Sequence, residues 1–289
     1  MTSKPTCCQF TTTSGTKLHY NLSGTEEGSL IILLHGLGGS SETFTPLLPY
    51  LPLSTHTVVA VDFEGFGETP LEEPATPLSI QRYVADLDDL ITSLQNTRRT
   101  KTTTSSSTKP VIIIGHSLGS IVALQYAARE PRNVVGLGLL GVGRSASHIP
   151  AVRDRMLALA KLVRTQGIEA AAELAMQTNF PPGKDTLAVE REEVRRAVAK
   201  SNPEAYAQVC EAMVDQKHQD PDYSAISCPV VFVSGRGDTI SPPLRAKELA
   251  PLLRGDSDIF VVEGGHQPVL SDLEGTRRAI DGLFNRIGA

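Results

Sequence analysis

Six segments of this 289-residue chain are apolar almost without interruption, and each gives way to a loop. They read "LIILL" at 30–34, "VVAV" at 58–61, "VIII" at 111–114, "VVGLGLL" at 134–140, "VVFV" at 230–233 and "IFVV" at 259–262. A strand with one wet face alternates apolar and polar residues, because successive side chains point to opposite faces. Runs that are apolar at every position therefore predict strands buried on both faces, as in a parallel sheet covered by helices. Segments of helical period lie between the runs. "PLSIQRYVADLDDLITSL" repeats through Ile80, Val84, Leu87, Leu90, Ile91 and Leu94, and "LRAKELAPLL" and "EGTRRAIDGLF" are helical in the same way. Strands alternating with helices imply right-handed crossovers and the α/β class, a mostly parallel sheet with helices on both faces.

Three stretches depart from this rhythm. "CCQFTTT" and "TKLHY", separated by Ser14-Gly15, predict an N-terminal hairpin. "QNTRRTKTTTSSSTK", 96–109 with its flanks, is polar and low in complexity and predicts a surface loop between a helix and a strand. The region from about 149 to 219 is helical throughout and interrupts two strands, so it predicts an inserted lid. The expected division is a core of 1–143 and 226–289 with a helical cap at 144–225.

Composition narrows the function. The chain is 40% hydrophobic and 20% charged with a formal net charge of −5, which disfavours nucleic acid as a partner. No apolar run is long enough to span a membrane, and "MTSKPTCCQFTTTSGTKLHY" has no apolar signal core. Cys7, Cys8, Cys210 and Cys228 lack metal-ligand spacing and predict reduced thiols in a cytoplasmic protein. A monomer or homodimer acting on a small molecule is expected.

The chemistry centres on "VIIIGHSLGSIVAL", where Gly115-His116-Ser117-Leu118-Gly119 joins a buried strand to a helix. A nucleophile elbow requires glycines on both sides of its serine, because the turn leaves no room for side chains. A serine hydroxyl also needs a general base. Of seven histidines, His266 in "FVVEGGHQP" lies just beyond the C-terminal end of the last strand, on the sheet edge where the elbow opens. The other six, His35 among them, are expected to be structural or exposed. Asp238 in "SGRGDTISPP" ends the preceding strand and can orient the base, and the order Ser117, Asp238, His266 fits this arrangement. Asp62 also follows a strand but precedes the elbow and is expected to fix its own loop. Asp256 and Asp258 stand at the starting end of the last strand, on the wrong edge. Oxyanion donors are expected from the backbone of Leu118 and, in "HGLGG", of Leu37, with Gly38 as the alternative.

With "HGLGGS", "DFEGFGET", "GHSLGS", "GRGDTISPP" and "EGGHQP" in this order, the chain resembles the α/β-hydrolase superfamily over nearly its whole length. Its helical segment and returning strand look like those of 3-oxoadipate enol-lactonase-like hydrolases. The resemblance implies an eight-stranded sheet, a cap of about four helices, no cofactor or metal, and hydrolysis of a small lactone or ester through an acyl-serine. A carbon–carbon hydrolase, a thioesterase and a ligand receptor with little turnover share the same fold. An enol-lactone carrying a carboxylate requires a cation, for which Arg144, His148 and Arg153 near the lid entrance are candidates; Gly38 and His116 complete the candidate substrate contacts. The chain contains no tryptophan, which caps of this kind often place against substrate. A pocket too large for a compact lactone would count against the lactonase expectation.

Overall fold

The apolar runs form a single sheet. The computed structural model describes residues 4–72, 77–101, 109–181 and 187–289. Its strands are β1 (Thr6–Thr11), β2 (Lys17–Gly24), β3 (Ser29–Leu34), β4 (His56–Val61), β5 (Val111–His116), β6 (Val134–Leu140), β7 (Val230–Gly235) and β8 (Ser257–Val262). Their order across the sheet is β1-β2-β4-β3-β5-β6-β7-β8. The first two pairings are antiparallel, and all pairings from β4 to β8 are parallel.

Alternation of side chains along each run divides it between two cores. Ile32, Leu34, Ile113, Val230 and Phe232 face one core, which α1 (Ile80–Lys101) and α2 (Leu118–Arg129) close. Ile31, Leu33, Ile112, Ile114, Val231 and Val233 face the other, where α9 (Leu273–Ile287) contributes Ala279, Ile280, Leu283 and Phe284. Each large apolar side chain withdrawn from water in this way contributes about 1.5–3 kcal/mol, so neither face of these strands tolerates a polar residue. The termini of α9 are set locally: Asp272 accepts the Gly275 N–H at 2.8 Å, and Gly288 leaves the helix at φ 67°.

Among the described residues, four α-helices lie between β6 and β7: α3 (Pro150–Gln166), α4 (Ile168–Thr178), α5 (Ala188–Ala199) and α6 (Pro203–Met213). Gly167, at φ 84°, separates the first two. Asn202 caps α6 by accepting from the Glu204 and Ala205 N–H groups, both at 3.0 Å. Two short helices, α7 (Pro243–Leu249) and α8 (Pro268–Ser271), follow β7 and β8.

The polar stretch 96–109 corrects one expectation. Helix α1 continues to Lys101, so its first six residues are helical. Apolar periodicity stops at Leu94, but hydrogen bonds carry the helix further: the Thr97 hydroxyl donates to the Ser93 carbonyl at 3.0 Å, and Arg98 donates to the Gly28 carbonyl. Residues 102–108 lie outside the described residues. Among the described residues, no helix is long and apolar enough to cross a membrane.

Candidate active site

Strand β5 ends at His116 and α2 begins at Leu118, so a single residue turns the chain. Ser117 adopts φ 50° and ψ −110°, and it is the only non-glycine residue with positive φ among the described residues. A side chain there is strained and persists only where its surroundings over-determine it. The flanking glycines supply that constraint. A Cβ on Gly115 would stand 2.5 Å from the Gly119 carbonyl oxygen, and a Cβ on Gly119 would stand 2.1 Å from that of Leu34. Packing of α2 onto β5 and β3 thus admits only glycine at both positions.

The loops after β7 and β8 bring the other two side chains to this turn. His266 Nε2 lies 2.9 Å from Ser117 Oγ, and His266 Nδ1 lies 2.8 Å from Asp238 Oδ2. A carboxylate only accepts, so Nδ1 carries the proton and Nε2 is left to accept from the serine hydroxyl. The other Asp238 oxygen accepts from the N–H groups of Ile240 and Ser241, each at 2.8 Å. Burial alone would raise the Asp238 carboxyl, but the His266 ring and these two donors outweigh it and hold the group below its ordinary pKa.

The backbone of the loop after β3 lies against the serine: a Cβ on Gly36 would stand 3.2 Å from Ser117 Cβ. Leu37 follows on this loop, and Leu118 starts α2. His35 holds the base of the loop, accepting the Phe63 N–H at Nε2 (3.0 Å) and donating from Nδ1 to the Gly36 carbonyl (2.7 Å). Burial lowers its pKa and keeps it neutral, as its expected structural role requires.

Above Ser117 opens a cavity of about 700 Å³. Its floor includes Gly36, Leu37, Gly38, His116, Ser117 and His266, and its far wall comes from α3 to α6. Leu159, Leu162, Leu174 and Met213 make that wall apolar. Gly38 sits where the inserted helices close on the core, with Val198 and Tyr206 packed against it.

The three expected substrate cations are not brought to this cavity. Arg144 is engaged with Asp220, donating from Nε at 2.9 Å and also through Nη2, while Ser145 N–H and Tyr223 OH fill the second Asp220 oxygen. His148 and Arg153 are exposed and do not line the cavity. Arg155, Arg196 and Lys200 line it instead, together with Glu42 and Glu193. The helical period distinguishes Arg155 from Arg153. Arg155, Leu159 and Leu162 stand at i, i+4 and i+7 on one face of α3, and Arg153 is turned away from it.

The sequence profile of the alpha/beta hydrolase family matches residues 31–279. The chain belongs to the alpha/beta hydrolase family. Within it, a pimeloyl-acyl-carrier-protein methyl ester esterase of Neisseria meningitidis is 28% identical over 256 residues, covering 84% of this chain and 89% of that protein. The solved structure of a thermophilic esterase from Thermogutta terrifontis has a TM-score of 0.82 at 22% identity, covering 99% of this chain and 100% of that one. The enol-lactonase of Burkholderia xenovorans has a TM-score of 0.79 at 21% identity, covering 96% and 100%. These structural likenesses, at such identities, establish that the hydrolase fold extends over this family member from end to end.

Proposed function

We propose that this protein is a serine-dependent hydrolase of open-chain carboxylic esters with a bulky apolar acyl or alcohol part. The hydrogen-bonded series Ser117–His266–Asp238 at the floor of the cavity carries the reading. Ser117 Oγ attacks the ester carbonyl while His266 Nε2 takes its proton, and the leaving alkoxide then receives that proton. Asp238 keeps His266 in the required tautomer and stabilises the imidazolium. The N–H groups of Leu37 and Leu118 hold the oxyanion; among the described residues, neither has a protein acceptor. Water, deprotonated by His266, releases the acyl group in the second half.

Cavity size and lining favour an open-chain ester over a compact lactone. A volume of about 700 Å³ with an apolar wall exceeds what a small lactone fills, and it suits a longer chain lying between α3 and α4. Residues 144–225 act as the lid that shapes this wall, and the unpaired thiols suit a cytoplasmic setting.

Acid release followed in a pH-stat, across acetate to decanoate esters and matched lactones, tests the assignment. Turnover is expected to rise with chain length, with esters ahead of lactones, and Ser117→Ala should lower it by roughly 10⁴- to 10⁶-fold without unfolding the protein. Turnover unaffected by that substitution would remove the mechanism. Faster lactone turnover would restore the lactonase reading, and negligible turnover of both would favour a carbon–carbon hydrolase or a ligand receptor.

A further inference from the structure

His266 is held by its backbone as well as by Asp238. Its N–H donates to the Asn179 carbonyl, just past the end of α4, at 2.7 Å. Its carbonyl accepts from His116 Nε2, also at 2.7 Å. The peptide groups flanking the base are thus tied on one side to the inserted helices and on the other to the residue before Ser117. His116 ends β5, and its ring lies at the cavity floor beside Gly36, where a Cβ would stand 2.7 Å from His116 Nδ1. The two rings lie 5.1 Å apart, tilted by 49°.

We propose that His116 is a positioning residue: its Nε2–H, donated to the His266 carbonyl, fixes the distance of His266 Nε2 from Ser117. The inference rests on the serine-hydrolase reading above. His116 and Ser117 are adjacent in the chain, so one strand end sets the place of both the nucleophile and the loop that carries its base. A loop of glycines, Gly264-Gly265, precedes His266 and has little stiffness of its own, which is why an external tether matters there. In the neutral ring this donation fixes the Nε2–H tautomer. Burial, and next the adjacent His266, push His116 down to a pKa of about 3, so it adds no positive charge to compete with the imidazolium that forms on His266. A displacement of about 1 Å at a reacting group costs on the order of 10²-fold in rate, and that sets the effect to expect.

Three variants and two readouts test the role. Phe in place of His116 keeps a ring and removes the donor, whereas Gln restores an N–H at comparable reach; Leu provides a second donor-free side chain. The readouts are steady-state ester hydrolysis and the rate at which a fluorophosphonate labels Ser117, with thermal unfolding measured on the same samples. H116F and H116L are expected to lose about 10²-fold in kcat and in labelling rate with KM within about twofold, and H116Q is expected to recover most of both. Wild-type kcat in H116F, or equal losses in H116F, H116L and H116Q, would overturn the tether. A folded wild-type protein that neither labels nor hydrolyses esters would instead overturn the serine-hydrolase reading itself.

Discussion

The molecule contains two buried His–Asp pairs of nearly the same dimensions. His266 Nδ1 lies 2.8 Å from Asp238, and His19 Nδ1 lies 2.7 Å from Asp62. The side chains are equally hidden, at 5% and 0% exposure in the first pair and 8% and 1% in the second. Their placement is also parallel. Asp238 follows β7 and Asp62 follows β4, each two strands from β5 on opposite sides, and each histidine belongs to the next strand outward. The difference lies in how that outer strand runs. β8 is parallel to β7, so His266 emerges on a loop at the edge where Ser117 opens and can reach it. β2 is antiparallel, and His19 sits inside it opposite Gln9, its backbone N–H bound to Thr69 Oγ1 at 2.8 Å. The same pair chemistry therefore makes a candidate acid–base relay on one flank and a loop clasp on the other.

The largest effect should separate the two pairs by activity. Asp238→Asn is expected to lower kcat/KM by about 10⁴-fold, since an amide neither selects the right tautomer nor stabilises the imidazolium. His19→Gln should leave kcat/KM within about twofold. Ester hydrolysis by both variants under identical conditions checks this, and an equal loss in each would erase the functional distinction between the flanks.

Stability should not separate them in the same way. Asp62 accepts from Ser41 N–H, from Glu68 N–H at 3.0 Å and from His19. Asp238 likewise accepts from Ile240, Ser241 and His266. Leaving buried donors without acceptors costs about 1–3 kcal/mol each, so Asp62→Ala and Asp238→Ala are each expected to lose about 3 kcal/mol in urea unfolding. A loss confined to Asp238→Ala would mean that the Asp62 clasp holds nothing that folding needs.

Much of this was readable beforehand for a definite reason. A strand buried on both faces shows as an apolar run, and a parallel sheet collects its loops at one edge, so Ser117, Asp238 and His266 could be picked as strand-end residues. Asp62 met the same criterion, and only chain order set it aside. Strand order, and with it the antiparallel course of β2, is a product of long-range pairing that no local pattern carries. The cavity lining was least legible. Charge and proximity in the chain point to Arg144 and Arg153, yet Asp220 claims the first, and helical phase turns the second away from the face that presents Arg155. The backbone tether of His266 has no sequence pattern at all, because His116 and Asn179 meet it only through the closed fold.

The smallest effect concerns the third imidazole, which stands beside the active pair. His116 falls from an ordinary 6.5 to about 3 on folding, driven first by burial and then by the neighbouring His266. Between these values the unfolded chain holds a proton that the folded protein does not, so stability decreases as pH falls through that window. Each unit of such a shift corresponds to about 1.4 kcal/mol. Asp238 adds nothing between pH 7 and pH 5: its folded value is depressed below the ordinary one, so its contribution is lost only in more acidic solution. H116F lacks the titrating ring, and its stability relative to wild type should therefore improve by about 2 kcal/mol on going from pH 7 to pH 5. Urea midpoints and slopes for the two proteins at both pH values measure this directly. An unchanged difference would mean that His116 takes up its proton as readily folded as unfolded, and the tether would then have to work with a charged ring at mildly acid pH.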